Sequence, residues 1–500
     1  MSDDHRNDEI AANVTRRRIL GTAGGAFVLP SLSAGDARAA SITPDTLLKQ
    51  LRGVLDDEGV LTGDKISPHY LQRRQVDLPI AVVRPQSTAE TSAVMKICHA
   101  AGQPVVPLGG NSGLVRGTQA NTAEIILALD RMDKIETVNV ANRSMTVGAG
   151  VVLADAQNTA AENGFLLPLN MGSRGEATIG GMIATNAGGE EVVRYGMTRE
   201  SVLGLEVVLA DGTVISSMNR MIKNNAGYDL KHMFIGSEGT LGIVTRAVMR
   251  LRAKPDGAST ALLAVADDDG VLKLLRYLER ALAGTLTSFE IMWSDYDQFV
   301  RKYTPYLPSP LKAGYTYYVI VEVTGSDAVD DLARFKRVIE NGRQSGLIAD
   351  AAVADDEKSR EEIWALREQA GAAFSELGPF WGYDVSLPIG DMAEYGRRVK
   401  AEVTVLYPEA TLLFLGHVGD GNLHIIAAPG SRAPDVKKAV DDVVYGAIRD
   451  LGGSVSAEHG IGLEKKNYLA WSRTPEEIAL MRNLKAMLDP KGILNPGKLI

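Results

Sequence analysis

The chain has 500 residues, enough for two or three domains with cores of their own, and its hydrophobic share of 45% and charged share of 23% are those of a globular protein. A net charge of −9 argues against nucleic-acid binding, which usually needs a basic face. The one cysteine, Cys98, rules out an intramolecular disulfide, and its apolar run Val94-Met95-Lys96-Ile97-Cys98 reads as core.

Residues 1–39 read as an export signal. Thr15-Arg16-Arg17-Arg18-Ile19-Leu20 precedes a weakly apolar stretch through Leu29-Pro30, and Ala37-Arg38-Ala39 offers a small-residue cleavage site. This is the twin-arginine pattern, with Ile19 where an aromatic is usual; a disordered basic tail is the alternative. That route carries folded proteins, so the expectation is a periplasmic protein, soluble or peripheral. No later apolar run reaches the roughly 18 residues of a spanning helix.

Residues 40–75 read as a polar helical segment. From 76 to 253 short strands alternate with helices. Ala81-Val82-Val83-Arg84 is a strand, Thr88 to Ala101 a helix with Thr88 placed as its cap, and Val105-Val106-Pro107-Leu108 a strand. Strands follow at Glu124 to Leu129, Ser144 to Val147 and Val202 to Leu209, with a helix from Val151 to Asn163. Asp211-Gly212 makes a hairpin turn into Val214-Ile215, and Gly242 to Leu251 closes the region as a strand. Lys254-Pro255-Asp256-Gly257 marks a boundary. An α+β domain over 254–455 then shows strands at Ser259 to Ala266 and Tyr315 to Thr324. Its helices fall at 270–283, 327–345, 356–377 and 391–406. A mostly helical stretch begins at Pro434.

Glycine is the compositional outlier, 51 of 500, and it clusters. Pro107-Leu108-Gly109-Gly110-Asn111-Ser112-Gly113-Leu114 follows a strand. Further glycine stretches are Gly172-Ser173, Gly180 to Gly189, and Gly236-Ser237-Glu238-Gly239-Thr240-Leu241-Gly242. Backbone N–H groups reach a diphosphate only where side chains do not block them, and glycine permits the conformations that form anion-binding nests. One such loop is equally a tight turn; four in one domain exceed what turns explain. None is the spaced-glycine dinucleotide fingerprint.

In the second half, His417 and His424 stand seven apart around Gly419-Asp420-Gly421, which favours a strand–turn arrangement that brings both imidazoles to one point. With Glu458 as carboxylate they suit Zn²⁺ or a similar divalent ion with an open position; purely structural histidines are the alternative. A zinc hydrolase is disfavoured by the absence of a His-Glu-x-x-His helix and by the glycine loops. Arg367 lies on a helix with Ile363, Leu366, Ala370 and Phe374 inward, free to hold a carboxylate or to pair with Glu362 or Glu368.

Pro-Leu-Gly-Gly-Asn-Ser-Gly-Leu, Ile179-Gly180-Gly181-Met182-Ile183-Ala184-Thr185-Asn186-Ala187-Gly188-Gly189, Arg194-Tyr195-Gly196 and Gly-Ser-Glu-Gly-Thr-Leu-Gly-Ile together resemble one family over residues 75–500. It is the D-lactate and D-2-hydroxyglutarate dehydrogenase branch of the vanillyl-alcohol-oxidase-type flavoproteins. The resemblance implies an α+β fold: a two-subdomain FAD-binding domain (76–253), a substrate-binding cap domain (254–455), and a C-terminal segment (456–500) that returns to the flavin. It implies that Pro107, Gly109, Gly110, Asn111, Ser112, Gly113 and Leu114 line FAD. Pro168, Gly172, Ser173, Gly181, Thr185, Asn186 and Gly189 would continue the cradle, with Ile243 or Val244 at the adenine end and Asn495 near the flavin. Some relatives hold flavin covalently through a His or Cys; the loop here offers only Asn111 and Ser112, so the FAD is expected to be non-covalent.

The resemblance also implies that His417, His424 and Glu458 bind the metal, that His459 is the catalytic base and contacts substrate, and that Arg367 binds the substrate carboxylate. The expected reaction oxidises a D-2-hydroxy acid to the 2-oxo acid. His459 takes the hydroxyl proton, the metal acts as Lewis acid, and the Cα hydride goes to the flavin N5. A quinone or cytochrome is the expected acceptor, an O₂-using oxidase the alternative, and a homodimer is left open. The 2-hydroxyglutarate enzymes carry Lys where Trp381-Gly382-Tyr383-Asp384 has Gly382, and Asn where this chain has Ile426. Both departures remove polar groups, and a second carboxylate buried without partners is costly, so a D-lactate-like monocarboxylate is expected, with a D-2-hydroxyglutarate dehydrogenase as the alternative.

Overall fold

Residues 42–500, apart from Arg74 and Val76, are described by the computed structural model. Helix α1 (Pro44–Arg52) opens on the Thr43 cap with proline in its first turn and stops at Gly53. The helical segment expected over 40–75 ends there. Gly53, Gly59 and Gly63 break the period, and the chain continues as the short strand β1 (Val60–Leu61) and isolated 3₁₀ turns.

A four-stranded sheet follows. Strand β2 (Ala81–Val83) leads through α2 (Thr88–Ala101) to β3 (Val105–Leu108), and β4 (Ile125–Ala128) pairs in parallel with both, giving the order β1-β2-β4-β3. The cap of α2 is Ser87 and not Thr88. Ser87 accepts the Glu90 N–H, whereas Thr88 Oγ1 donates to Glu206 Oε1 at 2.6 Å. The free side of β3 is taken by the end of the chain: Val105 N–H donates to Ile493 O, and Asn495 N–H donates to Val105 O. This pairing brings Asn495 back to the loop that leaves β3.

The second sheet is antiparallel. It contains β5 (Ile135–Asn139), β6 (Ser144–Gly148), β7 (Val202–Val208), β8 (Val214–Ser217) and β9 (Ile243–Arg250) in the order β5-β6-β9-β7-β8. Helices α3 (Leu153–Glu162) and α4 (Ile179–Thr185) lie between β6 and β7 in the chain. One apolar core joins both sheets, running from Val105 and Ile125 through Met145 and Ile183 to Val207, Ile243 and Leu494.

Beyond residue 254 a seven-stranded antiparallel sheet has the order β13-β10-β12-β11-β15-β16-β14. Its strands are β10 (Gly257–Val265), β11 (Leu286–Trp293), β12 (Tyr317–Gly325), β13 (Asp350–Val353), β14 (Trp381–Ser386), β15 (Thr411–His417) and β16 (Asn422–Ala428). Its helices are α5 (Asp268–Leu282), α6 (Ser294–Tyr303), α7 (Ala328–Gln344), α8 (Glu357–Glu368), α9 (Met392–Leu406) and α10 (Pro434–Asp450). The helix expected to run to 377 is α only to Glu368 and continues as a 3₁₀ helix over Gln369–Leu377, where Gly371 disfavours the α-helix. Helix α6 and strands β11, β13, β14, β15 and β16 add to the elements read from the sequence. The last helix, α11 (Pro475–Leu488), is closed by a Thr474–Glu477 capping box.

Side chains alternate across a strand, so each face of this sheet receives every second residue. Phe289, Ile291, Tyr383, Val385, Phe414, Leu423 and Ile425 pack on one face beneath α5, α7, α9 and α10. The opposite face carries Met292, Leu413, Leu415 and, partly buried, Ile426, under α6 and α8. Among the described residues no helix is long and apolar enough to cross a membrane.

Phe414 is fully buried and stacks on Trp293 with ring centroids 4.5 Å apart, on the strand that ends in His417. Phe414→Ala is expected to destabilise the protein by about 3–5 kcal/mol through the cavity it leaves, read as a shift in the urea midpoint with an unchanged slope.

Candidate functional site

The face opposite the main cap core carries the chemistry. Counting by twos, it receives Glu290 on β11, His417 at the end of β15, His424 on β16 and Asp384 on β14. The pairing aligns them, with Glu290 opposite His417 and His424 opposite Asp384. The turn Val418–Asp420 between β15 and β16 brings the two imidazoles together, with ring centroids 5.2 Å apart.

Glu458 joins them from the C-terminal segment. Ligating atoms of His417, His424 and Glu458 lie within 4.8 Å of one another, and His417 Nε2 is 3.8 Å from Glu458 Oε1. Glu290 Oε1 sits 2.7 Å from His417 Nδ1, a pairing that favours the proton on Nδ1 and the lone pair on Nε2, which Arg367 Nη2 approaches to 3.3 Å. Burial holds His417 and His424 well below the usual histidine range, leaving both as neutral donors.

A second trio, Asp384, His424 and His459, is equally close. Asp384 is already committed, however. Its Oδ1 accepts Asn422 Nδ2 at 2.7 Å, and its Oδ2 accepts the N–H groups of Ala457, Glu458 and His459 at 3.0–3.1 Å. Lys465 Nζ is 3.3 Å from the same oxygen. Burial pushes this carboxyl up, but the charges of His459 and Lys465 and these N–H groups outweigh it and hold Asp384 well below the usual range. Asp384 therefore organises the loop, and the first trio is the better ligand set.

His459 stacks on His424 at 6.1 Å, and burial lowers its pKa below 6.5, which favours a neutral base. Arg367 reaches the cluster from α8. Neither Glu362 nor Glu368 is its partner: Nε donates to Glu290 Oε2 at 2.6 Å, and Nη2 lies 3.3 Å from His417 Nε2. Burial raises Glu290 to about 7 even against Arg367, and raises Asp420 to about 7. Glu458 is driven well above its usual range by burial, with Asp384 next.

Glu458 and His459 also line a cavity of about 720 Å³ on the other domain. Its walls include Pro107, the run Gly109 to Leu114, Gly172 and Ser173. Gly181, Thr185, Ile243, Val244 and Asn495 complete the residues expected there. Pro168, Asn186 and Gly189 are not brought to it. Pro168 is buried beside Leu167 and Leu169. Asn186 ends α4 in the left-handed conformation and accepts the Arg199 N–H, and a Cβ on Gly189 would meet Asn170 O at 1.7 Å. These three serve the protein's own packing.

The cavity suits a large flavin nucleotide. A Cβ on Gly110 would collide with Glu176 O at 1.8 Å, so the loop is pressed against its neighbour, while Gly113, Gly172 and Gly175 face open space. Asn495 Oδ1 is buried without a partner at the wall, an acceptor suited to a cofactor N–H. The lining contains no cysteine, and its one histidine is His459.

An FAD binding domain family matches residues 79–217, and the C-terminal domain family of FAD linked oxidases matches residues 254–499. The mitochondrial D-2-hydroxyglutarate dehydrogenase of Rattus norvegicus is 38% identical over 452 residues, covering 89% of this chain and 84% of the rat enzyme. The chain belongs to the FAD-linked oxidase family. It is a flavin-linked oxidoreductase acting on CH–OH, in the D-2-hydroxy acid dehydrogenase branch. The D-2-hydroxyglutarate dehydrogenase of Xanthomonas citri pv. viticola is 37% identical over 432 residues, 85% of this chain and 90% of that enzyme. A p-cresol methylhydroxylase with substrate bound shares the vanillyl-alcohol-oxidase-type fold at TM-score 0.72, over 91% of this chain and 96% of that one, with 18% identity.

The periplasmic location is overturned by these relatives: the rat, rice and Arabidopsis thaliana enzymes are named mitochondrial. Residues 1–39, which hold the twin-arginine pattern, lie outside the described residues.

The sequence reading assigned no role to Glu290, Asp384, Lys465 or Glu238. Glu290 leaves a signal, a lone carboxylate inside the apolar run Phe289-Glu290-Ile291-Met292-Trp293. Asp384→Asn is expected to cost about 3–5 kcal/mol, because it leaves buried Lys465 without its counter-charge. Urea denaturation of the flavin-loaded protein measures it, and a loss below 1 kcal/mol, on the order of a surface pair, contradicts the role.

Proposed function

We propose that this oxidoreductase converts a D-2-hydroxy acid to the 2-oxo acid with non-covalent FAD and a divalent metal. The observation that carries the reading is the placement of Glu458 and His459. They line the glycine-walled cavity and at the same time meet His417 and His424 on the cap sheet.

His417, His424 and Glu458 would hold the metal. The neutral imidazoles offer lone pairs, and a cation held there would offset the burial that raises the Glu458 carboxyl. Such an ion lowers the pKa of a substrate hydroxyl beside it. Bound FAD supplies the acceptor for the electron pair that leaves Cα. His459, neutral and lining that cavity, takes the hydroxyl proton. Arg367 uses Nε for Glu290 and Nη2 beside His417, so its remaining Nη1 is the edge for the substrate carboxylate. For reoxidation we keep a quinone or cytochrome as acceptor, supported by the lack of a nicotinamide fingerprint; rapid aerobic peroxide would favour an oxidase instead.

The relatives' names favour D-2-hydroxyglutarate, which replaces D-lactate as the first substrate to try. One observation keeps the monocarboxylate as a second reading. Gly382 and Ile426 are register partners on β14 and β16, and Ile426 belongs to the apolar cluster with Phe374 and Leu413.

Anaerobic bleaching of the flavin by a panel of D- and L-2-hydroxy acids tests the reaction. Bleaching by a D-acid that stops on chelation and returns with Zn²⁺ is expected, and no bleaching by any hydroxy acid rejects the function. A higher kcat/KM for D-2-hydroxyglutarate than for D-lactate selects the first reading, and the reverse order selects the second. His459→Gln should slow bleaching by about 10²–10⁴-fold with FAD content unchanged. Because the neutral form is the base and burial lowers its pKa, the acid limb of the wild-type rate should lie at lower pH than the ordinary histidine range, with the rate rising as pH rises through it.

A further inference from the structure

The segment that carries Glu458 and His459 belongs to no helix or strand. Two buried carboxylates hold it instead. Asp384, from the cap sheet, accepts the N–H groups of Ala457, Glu458 and His459. Glu238, from the other domain, takes the far side: Oε1 accepts Ile461 N–H at 2.7 Å and Oε2 accepts Gly462 N–H at 2.8 Å. Gly460 lies between the two anchors with φ +83°, and a Cβ on it would stand 2.8 Å from Glu238 Oε1. The loop is thus fitted closely around this carboxylate.

Glu238 also belongs to the flavin wall. It lines the cavity, is 8% exposed and holds φ 51°, uncommon for a residue other than glycine. Two contacts keep it there. Its N–H donates to Ala184 O, and its carbonyl accepts Asn495 Nδ2 at 2.8 Å. Asn495 makes a second bond to Gly117 O and presents its unpartnered Oδ1 at the same wall. A group seated in the cavity therefore meets Asn495 and Glu238 together, and the only carboxylate of that wall apart from Glu458 and Glu176 is the one gripping the catalytic loop.

We propose that Glu238 is a positioning residue that couples the flavin cavity to the catalytic loop: FAD against the wall fixes Glu238, and its carboxylate fixes Ile461 and Gly462, just past His459. The proposal rests on His459 being the base. A carboxylate accepts both N–H groups; an amide of the same shape accepts one and turns a donor toward the other. The loop then shifts, and a displacement on the order of 1 Å at a catalytic group costs about 10²-fold in rate.

The test compares full-length, FAD-loaded wild type with Glu238→Gln. With FAD supplied in saturating excess, the expected result is an unchanged half-saturating concentration of the hydroxy acid that bleaches the wild type. The limiting rate of bleaching should fall by about 10²-fold, and amide exchange in a peptide spanning 457–463 should speed up by about tenfold with other peptides unchanged. A limiting rate and a loop exchange equal to wild type overturn the proposal, as does a rate loss with unaltered loop exchange. If Glu238→Gln does not fold, the wild-type chain decides. Its 457–463 peptide should exchange more slowly with FAD than after FAD is removed and recover when FAD is restored; equal exchange overturns the coupling. A wild type that no hydroxy acid bleaches rejects the function of the site, while the exchange measurement still reports on the tether.

Discussion

One buried carboxylate, Asp384, makes the rest of the site possible. It sits on an edge strand of the cap sheet, fully buried, and collects three consecutive backbone N–H groups and the Lys465 ammonium. Hydrogen bonds to a charged group are worth about 1.5–3 kcal/mol each, enough to hold a stretch of chain that has no helix or strand to hold it. The outcome is geometric: Glu458 and His459 leave the same anchored stretch in adjacent positions, one toward the paired imidazoles and both toward the flavin cavity. Without that anchor the two histidines of the sheet would have no third partner at a fixed distance.

The sheet supports this expense by division of labour between its faces. The face with Phe289, Phe414, Tyr383 and Ile425 is almost wholly apolar and covered by four helices, and it supplies the burial that stabilises the cap. The opposite face is then free to carry Glu290, His417, His424 and Asp384 in one row, at a local cost. That cost is legible in the titration of the groups. Burial lifts Glu290 and Asp420 to about 7, while the two histidines are pressed well below their usual range. Groups that would be charged in water are pushed toward neutrality, which is how a fold prepares lone pairs for a cation and a base for a proton.

The legible part of this molecule was the part that depends on local chemistry. Glycine stretches after a strand announce a backbone surface for a large anion, and most of the residues named from them do line the cavity. Asn186 and Gly189 sit in one of the same stretches yet serve a helix end and close packing, because a glycine needed for its neighbour's carbonyl looks the same in sequence as one needed for a ligand. The alternation around Gly419-Asp420-Gly421 pointed to the strand–turn that pairs His417 with His424. What stayed hidden was set by strand register. Glu290 faces His417 only because β11 pairs with β15, across 127 residues of chain, and nothing local specifies that pairing. The substrate side chain was hidden differently: Gly382 and Ile426 argue for an apolar end, whereas the relatives argue for a second carboxylate.

That disagreement can be located in the structure. His417 and Arg367 are each anchored by Glu290, and the Glu458–His459 loop is anchored twice, by Asp384 and by Glu238. The strand edge at Gly382 and Ile426 has no such support. Gly382 is exposed on an edge strand, and a Cβ there would only touch Ile426 at an ordinary 3.8 Å. Such an edge can change without disturbing the anchored groups, because no buried charge loses its partner when it changes. The cluster of Glu290, His417, Arg367 and the Glu458–His459 loop is therefore the part the fold defends, and the Gly382–Ile426 edge is the part it leaves open to variation.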